Sequence, residues 1–252
     1  MKIGIFDSGV GGITVLKEAL RQLPSMDYIF YADNLHVPYG TKAKEEVLGY
    51  VNEVVEVLIK EGAEAIVIAC NTATSIAVNM LREKYKTIPI IGMEPAVKLA
   101  IDQTMQGRVL ATATPLTLRE EKFKCLLDKV DDHERVDALA LPELVEFAES
   151  YVFDEAILKN YFNDKFKAYD LSKYSAIVLG CTHFVYYKKL LKQMLPEHIE
   201  VYDGNEGTVR HLKQVLQEHQ LIGTNKVGKI DFYYSGEKNK HREVLEQYLN
   251  II

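Results

Sequence analysis

Ala65-Ile66-Val67-Ile68-Ala69-Cys70-Asn71-Thr72 and Ala176-Ile177-Val178-Leu179-Gly180-Cys181-Thr182-His183 are built alike. Each is a short apolar, β-branched run that stops at a cysteine followed by small polar residues, the pattern of a strand buried on both faces of a parallel sheet. Ligands of open α/β sheets bind beyond the carboxyl ends of the strands, so each run delivers a thiol to the reactive end of a sheet. One sulfur on each side of a substrate is a two-base arrangement, suited to inverting a carbon centre.

Outward from these runs, strand signals over 2–6, 28–32, 65–69, 88–92, 108–112, 136–139, 176–180, 200–202 and 229–234 alternate with helical periodicity over 12–23, 44–61, 74–85, 188–195 and 208–219. The alternation predicts an α/β chain. Its elements fall into two like series, one with Phe6-Asp7-Ser8-Gly9 followed by the Cys70 strand, the other with Leu110-Ala111-Thr112-Ala113-Thr114 followed by the Cys181 strand. The expected architecture is two similar doubly wound parallel-sheet lobes facing each other across a central crevice. Residues 1–92 with 205–252 make the first lobe and 93–204 the second. The chain crosses at Glu94-Pro95 and at Asp203-Gly204-Asn205, where Pro and Gly-Asn break regular structure.

A chain of 252 residues can bury one large core or two smaller ones. With 30 basic against 36 acidic residues its net charge is -6, which disfavours a nucleic-acid partner. The basic cluster Lys238-Asn239-Lys240-His241-Arg242 reads as a solvated helix start. No apolar run reaches membrane-spanning length, and the first residues read as a strand rather than a leader. Three cysteines without paired spacing fit a reducing compartment, and the expected location is the cytoplasm. Cys125 falls in a helical stretch and reads as a packing or surface residue.

Asp7-Ser8-Gly9-Val10-Gly11-Gly12 follows the first strand and opens a helix, where glycines admit a ligand close to the backbone and free N–H groups favour an anion. A dinucleotide fingerprint, with Asp33 as the ribose acid, is the competing reading, and a plain structural turn is another. Thr14 holds the third glycine position, and Asp7 would repel a pyrophosphate. A carboxylate here suits a substrate ammonium or an adjacent thiol, and an amino-acid zwitterion fits both ends of the site.

Asn71 and Thr72 are placed to cap the helix after Cys70, and a helix amino-terminus stabilises a thiolate. His183, two residues beyond Cys181, shares its side if the strand persists and can take the thiol's proton. The plain alternatives are a buried small Cys70 with an ordinary cap, and a capping Thr182 beside a packed His183. Zinc held by Cys70, Cys181 and His183 is a further alternative, though no cysteine pair has local ligand spacing. Backbone amides around Tyr39 and Gly40, in Val37-Pro38-Tyr39-Gly40, can receive a carboxylate.

Taken together, Asp7-Ser8-Gly9-Val10-Gly11-Gly12, Val37-Pro38-Tyr39-Gly40, Cys70-Asn71-Thr72-Ala73-Thr74 and Gly180-Cys181-Thr182-His183 resemble the glutamate racemases of the cofactor-independent aspartate/glutamate racemase superfamily. The resemblance spans most of the chain in the family's order. It implies two α/β lobes, a homodimer, no cofactor or metal, and D-glutamate supply for peptidoglycan. It also implies Cys70 and Cys181 as the acid/base thiols, assisted by Asp7, His183 and a glutamate, Glu149 by its distance from Pro142 with Glu146 as the alternative. Asp7, Ser8, Tyr39, Gly40, Asn71, Thr72, Thr182 and His183 are the implied substrate contacts. The family's second-lobe turn is commonly Gly-Thr-x-Gly-Thr, whereas this chain has Ala111-Thr112-Ala113-Thr114-Pro115. Racemisation of aspartate or another acidic amino acid by the same residues is the nearest alternative. Pyridoxal-phosphate racemisation, amino-acid binding without turnover, and a thiol-redox regulatory role are others.

Overall fold

The computed structural model describes residues 1–104, 106–131, 134–219, 221 and 228–251. Its strands are β1 (Lys2–Asp7), β2 (Asp27–Ala32), β3 (Ala65–Ile68), β4 (Ile90–Gly92), β5 (Arg108–Ala113), β6 (Val136–Ala140), β7 (Tyr174–Leu179), β8 (Glu200–Asp203), β9 (Ile230–Tyr234) and β10 (Glu237–Lys238). They form two sheets, ordered β10-β9-β2-β1-β3-β4 and β6-β5-β7-β8. Every pairing is parallel except the antiparallel edge between β9 and β10.

Both sheets repeat one winding, in which the first strand of the series lies between the second and the third. The strand order therefore reverses between β1 and β3 and again between β5 and β7. Such a reversal opens a crevice past the carboxyl ends of the two strands. Asp7 ends β1 and Cys70 follows β3 by two residues; Thr114 follows β5 directly and Cys181 follows β7 by two. Each sheet thus presents a cysteine and a polar partner at its own switch point.

The apolar runs are continuous because both faces of each central strand are covered. Ile3, Ile5, Ala65, Val67, Leu110, Ile177 and Leu179 pack into one core that takes in a face of each sheet. Their alternates on β1 and β3, Phe6, Ile66 and Ile68, pack into a second core, and Val109, Ala111, Ala176 and Val178 into a third. Side chains alternate sides along a strand, so one run supplies two cores. The shared core joins the sheets and leaves their carboxyl ends to meet at the site.

The chain passes from β4 to the second sheet through Glu94-Pro95 and returns after β8 into a helix, Asn205–Glu218, packed against helix Ile13–Gln22. The crossings touch: a Cβ on Gly204 would lie 2.8 Å from the Glu94 carbonyl oxygen. Only a residue without a side chain lets the two segments approach so closely.

Every strand read from the sequence is present, with ends displaced by at most two residues, and β10 was not foreseen. The helix expected from residue 74 begins at Asn71. Asn71 and Thr72 are not its caps; Cys70 is, its sulfur accepting from the Ala73 N–H at 3.4 Å. The basic cluster does precede a helix, Arg242–Leu249, with His241 at its N-cap.

Candidate active site

β1 runs into an extended Gly9 and a single 3-10 turn, Val10–Gly12, before helix Ile13–Gln22 starts. This turn holds the Asp7 carboxylate beneath the backbone: Gly9 N–H donates to Oδ1 at 3.0 Å and the Thr182 hydroxyl donates to Oδ2 at 2.8 Å. Asp7 is completely buried, and burial pushes its carboxyl above the ordinary range, with His183 and Thr182 working against the shift. The Cys70 thiol lies 3.6 Å from the Ser8 hydroxyl oxygen. Burial, reinforced by the negative charge of Asp7, pushes this thiol up to about 12. The helix amino-terminus does act as expected, the Ala73 N–H favouring the thiolate, but one N–H bond does not offset loss of water next to a carboxylate.

On the second sheet β7 ends at Leu179, so the strand does not persist to His183; residues Thr182–Tyr187 form a 3-10 helix instead. That turn still brings His183 Nδ1 to 3.8 Å from the Cys181 sulfur. His183 Nε2 meets Glu149 Oε1 at 2.6 Å and lies 3.3 Å from the Gly11 N–H. The shorter contact, to a carboxylate, favours Nε2 as a donor to Glu149 over an acceptor from Gly11, and Nδ1 faces the sulfur. Burial disfavours an imidazolium here, but Cys181 and Glu149 outweigh it and hold His183 well above its ordinary value. Glu149 rather than Glu146 occupies the site, since Glu146 is exposed on the outer face of helix Glu143–Glu149. The helix amino-terminus read as an anion site is occupied by this internal carboxylate, with Val10 N–H donating to Glu149 Oε1 at 2.8 Å.

Asp7, Ser8, Cys70, Cys181, Thr182, His183 and Glu149 therefore lie in one connected cluster. Thr72 joins it from the side, its hydroxyl bonded to Thr114 at 2.9 Å and Thr117 at 3.0 Å across the crevice. Gly40 packs so tightly on Thr114 that a Cβ would lie 2.7 Å from its methyl. Tyr39 packs in the same core as Cys70, its hydroxyl donating to Asp33 at 2.5 Å while His36 Nδ1 sits 2.8 Å from the same carboxylate. Asp33, considered only as a ribose acid, instead anchors this turn. The Asn71 side chain lines a small pocket with Thr117, Lys122 and Phe123, and its Oδ1 is buried without a partner among the described residues. Asn34, Thr114 and Thr117 were not singled out by the sequence. Thr114 had a signal, since it follows β5 as Ser8 follows β1.

Both thiols are sealed, Cys70 at 6% and Cys181 at 7% exposure. A larger cleft, of about 1200 Å³, surrounds the chain crossings at Glu94, Asp203 and Gly204 and contains neither cysteine. Among the described residues, no group of three His, Cys, Asp or Glu side chains is arranged to hold a metal ion. No helix among them is long and apolar enough to cross a membrane.

Comparisons with known proteins place the chain in a family. Residues 6–212 match the family model described as Asp/Glu/Hydantoin racemase. The chain belongs to this racemase family. It is 54% identical over 253 residues to the glutamate racemase of Halothermothrix orenii, covering 100% of this chain and 99% of that protein. Among solved structures, a glutamate racemase isoform from Bacillus anthracis matches with a TM-score of 0.89 at 30% identity, covering 98% of this chain and 93% of that one. The Francisella tularensis glutamate racemase, solved with D-glutamate, matches at 0.84 and 28% identity, covering 99% and 93%.

Between the helix that follows β2 and the loop after helix Pro115–Arg119 of the second sheet runs an ion pair, Lys44 Nζ to Glu120 Oε2 at 2.6 Å. Lys44 is the first residue of helix Lys44–Lys60, where a cation opposes the helix dipole. Its helix alone does not account for it; the buried Glu120 does. Lys44→Glu is expected to loosen the mouth and raise the alkylation rate of the sealed cysteines several-fold, and Glu120→Lys in the same chain to restore it. Unchanged alkylation in the single variant would show that the pair does not hold the crevice shut.

Proposed function

We propose that this chain is a cofactor-independent glutamate racemase that interconverts L- and D-glutamate by proton transfer at Cα between Cys70 and Cys181. The observation that carries this reading is the pair of sealed thiols at the switch points of two like sheets, Cys70 beside the Ser8 hydroxyl that bonds Asp7 and Cys181 beside the His183 imidazole. Cys181, facing His183 Nδ1, removes the α-proton of L-glutamate, and Cys70 as a thiol protonates the opposite face. The reverse reaction exchanges the roles. A thiol with a raised pKa is scarce as thiolate but a stronger base when formed, which suits a weakly acidic C–H. A substrate ammonium beside Asp7 would offset the charge that holds the Cys70 thiol up.

Hydrogen-bond donors around the developing enolate-like carboxylate, and the exclusion of water by the closed mouth, stabilise the carbanion. The Asn71 amide, the Thr72 and Thr182 hydroxyls and the Tyr39–Gly40 backbone are the candidate donors, and Asp7, Ser8 and His183 complete the substrate contacts. Opening is expected between residues 1–92 with 205–252 and residues 93–204, taken as the two moving lobes. The reading places the protein in the cytoplasm as a homodimer, supplying D-glutamate for peptidoglycan.

The test is a chiral assay of L-glutamate and L-aspartate with chelator-treated, pyridoxal-free protein, run in heavy water to follow the α-proton. Glutamate should racemise with solvent deuterium incorporated at Cα. Preference for aspartate would change the substrate, binding without exchange would remove the enzyme, and activity appearing only on adding zinc or pyridoxal phosphate would remove the two-thiol mechanism.

A further inference from the structure

Glu149 is reached from the first sheet by a side chain to which neither the motifs nor the family gives a role. Asn34 lies just past β2, and its Nδ2 donates to Glu149 Oε2 at 2.6 Å. On the other oxygen Glu149 receives the Val10 N–H and meets His183 Nε2. The orientation of the amide is settled by chemistry, because reversing it would set two oxygens against each other. Asn34 Oδ1, meanwhile, is buried and unpaired among the described residues. An unpaired buried carbonyl costs stability, so folding alone does not select a polar amide here.

We propose that Asn34 is a positioning residue, whose amide clamps the Glu149 carboxylate against His183 and thereby keeps His183 Nδ1 turned to the Cys181 sulfur. The chain of contacts runs from Asn34 to Glu149 Oε2, from Oε1 to His183 Nε2, and from Nδ1 to the thiol at 3.8 Å. It ties the clamp to closure as well, since Asn34 follows a strand of one sheet and Glu149 lies between strands of the other. Among the described residues, the titratable groups that feel the charge of Glu149 include His183, Asp7, Tyr186, Tyr187, Tyr234 and Tyr248. His183 is the only cation among them.

This inference rests on the two-thiol reading for its meaning, but its first test needs no turnover. In a Cys70→Ser/Cys125→Ser background, iodoacetamide reports the ionisation of Cys181 as a function of pH. Asn34→Leu leaves Glu149 Oε2 without its donor, which frees the carboxylate to turn away from His183 Nε2. His183 Nδ1 is then less well held against the Cys181 sulfur, and alkylation near neutral pH should slow by about tenfold.

Asn34→Asp, in the otherwise unaltered enzyme, supplies a donor of the same shape only while the two carboxyls share a proton. Its kcat/KM should approach that of the parent at low pH and fall along a new limb as that proton is lost. Folded Asn34 variants with the parental alkylation profile and kcat/KM within twofold would overturn the proposal. A loss of equal size at every pH would overturn it too, because that is the behaviour of a packing residue. A shifted alkylation profile in a protein that does not racemise glutamate would keep the clamp and discard the enzymatic reading.

Discussion

Cys70→Ala is expected to abolish net inversion of glutamate, by at least about 10³-fold in kcat/KM, while a one-sided exchange survives. Cys181, left alone, can remove the proton of L-glutamate, trade it with solvent through His183, and return a deuteron to the same face. Deuterium should therefore enter L-glutamate with retention in Cys70→Ala and D-glutamate with retention in Cys181→Ala, and NMR of the α-position with chiral separation reads both. The residual exchange will be slow, because paired catalytic groups act as a unit and losing one costs more than its nominal share. Since the two enantiomers are equal in energy, kcat/KM must stay equal in the two directions for every variant, so the asymmetry belongs to the label and not to the rates. Either single variant turning over near the parental rate would end the two-thiol mechanism. Cys125→Ser, at a partly exposed position on helix Glu121–Val130, should change neither readout.

The strand positions were legible because buried parallel strands must be apolar throughout, and the two cysteines stood out because each interrupts such a run at its carboxyl end. What the pattern could not give is how the chain turns afterwards. Cys181 and His183 were related by assuming a continued strand, whereas a 3-10 turn brings them together. Cys70 was expected to gain from a helix terminus, but the terminus contributes one long N–H contact, and the dominant influence, burial beside Asp7, arises from β1, distant in sequence.

The same limit explains the missed residues. Asn34 acts on Glu149 across 115 positions of chain, and Thr72 meets Thr114 across 42. Neither partner is encoded by local spacing. Glu149 itself was reachable only through the family resemblance, favoured by its distance from Pro142 with Glu146 as the alternative; one turn of helix decides between them, and the helix Glu143–Glu149 buries Leu144, Val145 and Ala148 while it turns Glu149 inward. The glycines of the Asp7 loop were read as making room for a ligand. At Gly11 the room is taken by the protein's own imidazole.

That occupancy gives the second large expectation. A Cβ on Gly11 would overlap His183 Nδ1 and lie 2.5 Å from Thr182 Oγ1 and 2.7 Å from His183 Cε1. Ordinary contacts between such atoms begin near about 3.5 Å, so Gly11→Ala must move the ring, the hydroxyl or the loop by about 1 Å. The ring links Glu149 to Cys181, and the Thr182 hydroxyl binds Asp7, so either movement disturbs one of the two thiol partners. Misplacement on that scale costs about 10²-fold in rate, and kcat/KM for glutamate should fall by at least this much. The displaced atoms are side-chain ends, so the protein should still fold, with a modest drop in melting temperature. Gly49→Ala is the matched control: Gly49 is exposed within helix Lys44–Lys60 and an added Cβ meets nothing within 4 Å. Replacing a helical glycine by alanine there should stabilise by about 1 kcal/mol without touching the rate. Melting curves and kcat/KM measured side by side separate the outcomes, and a folded Gly11→Ala enzyme within threefold of the parental rate would show that His183 need not sit where this loop holds it.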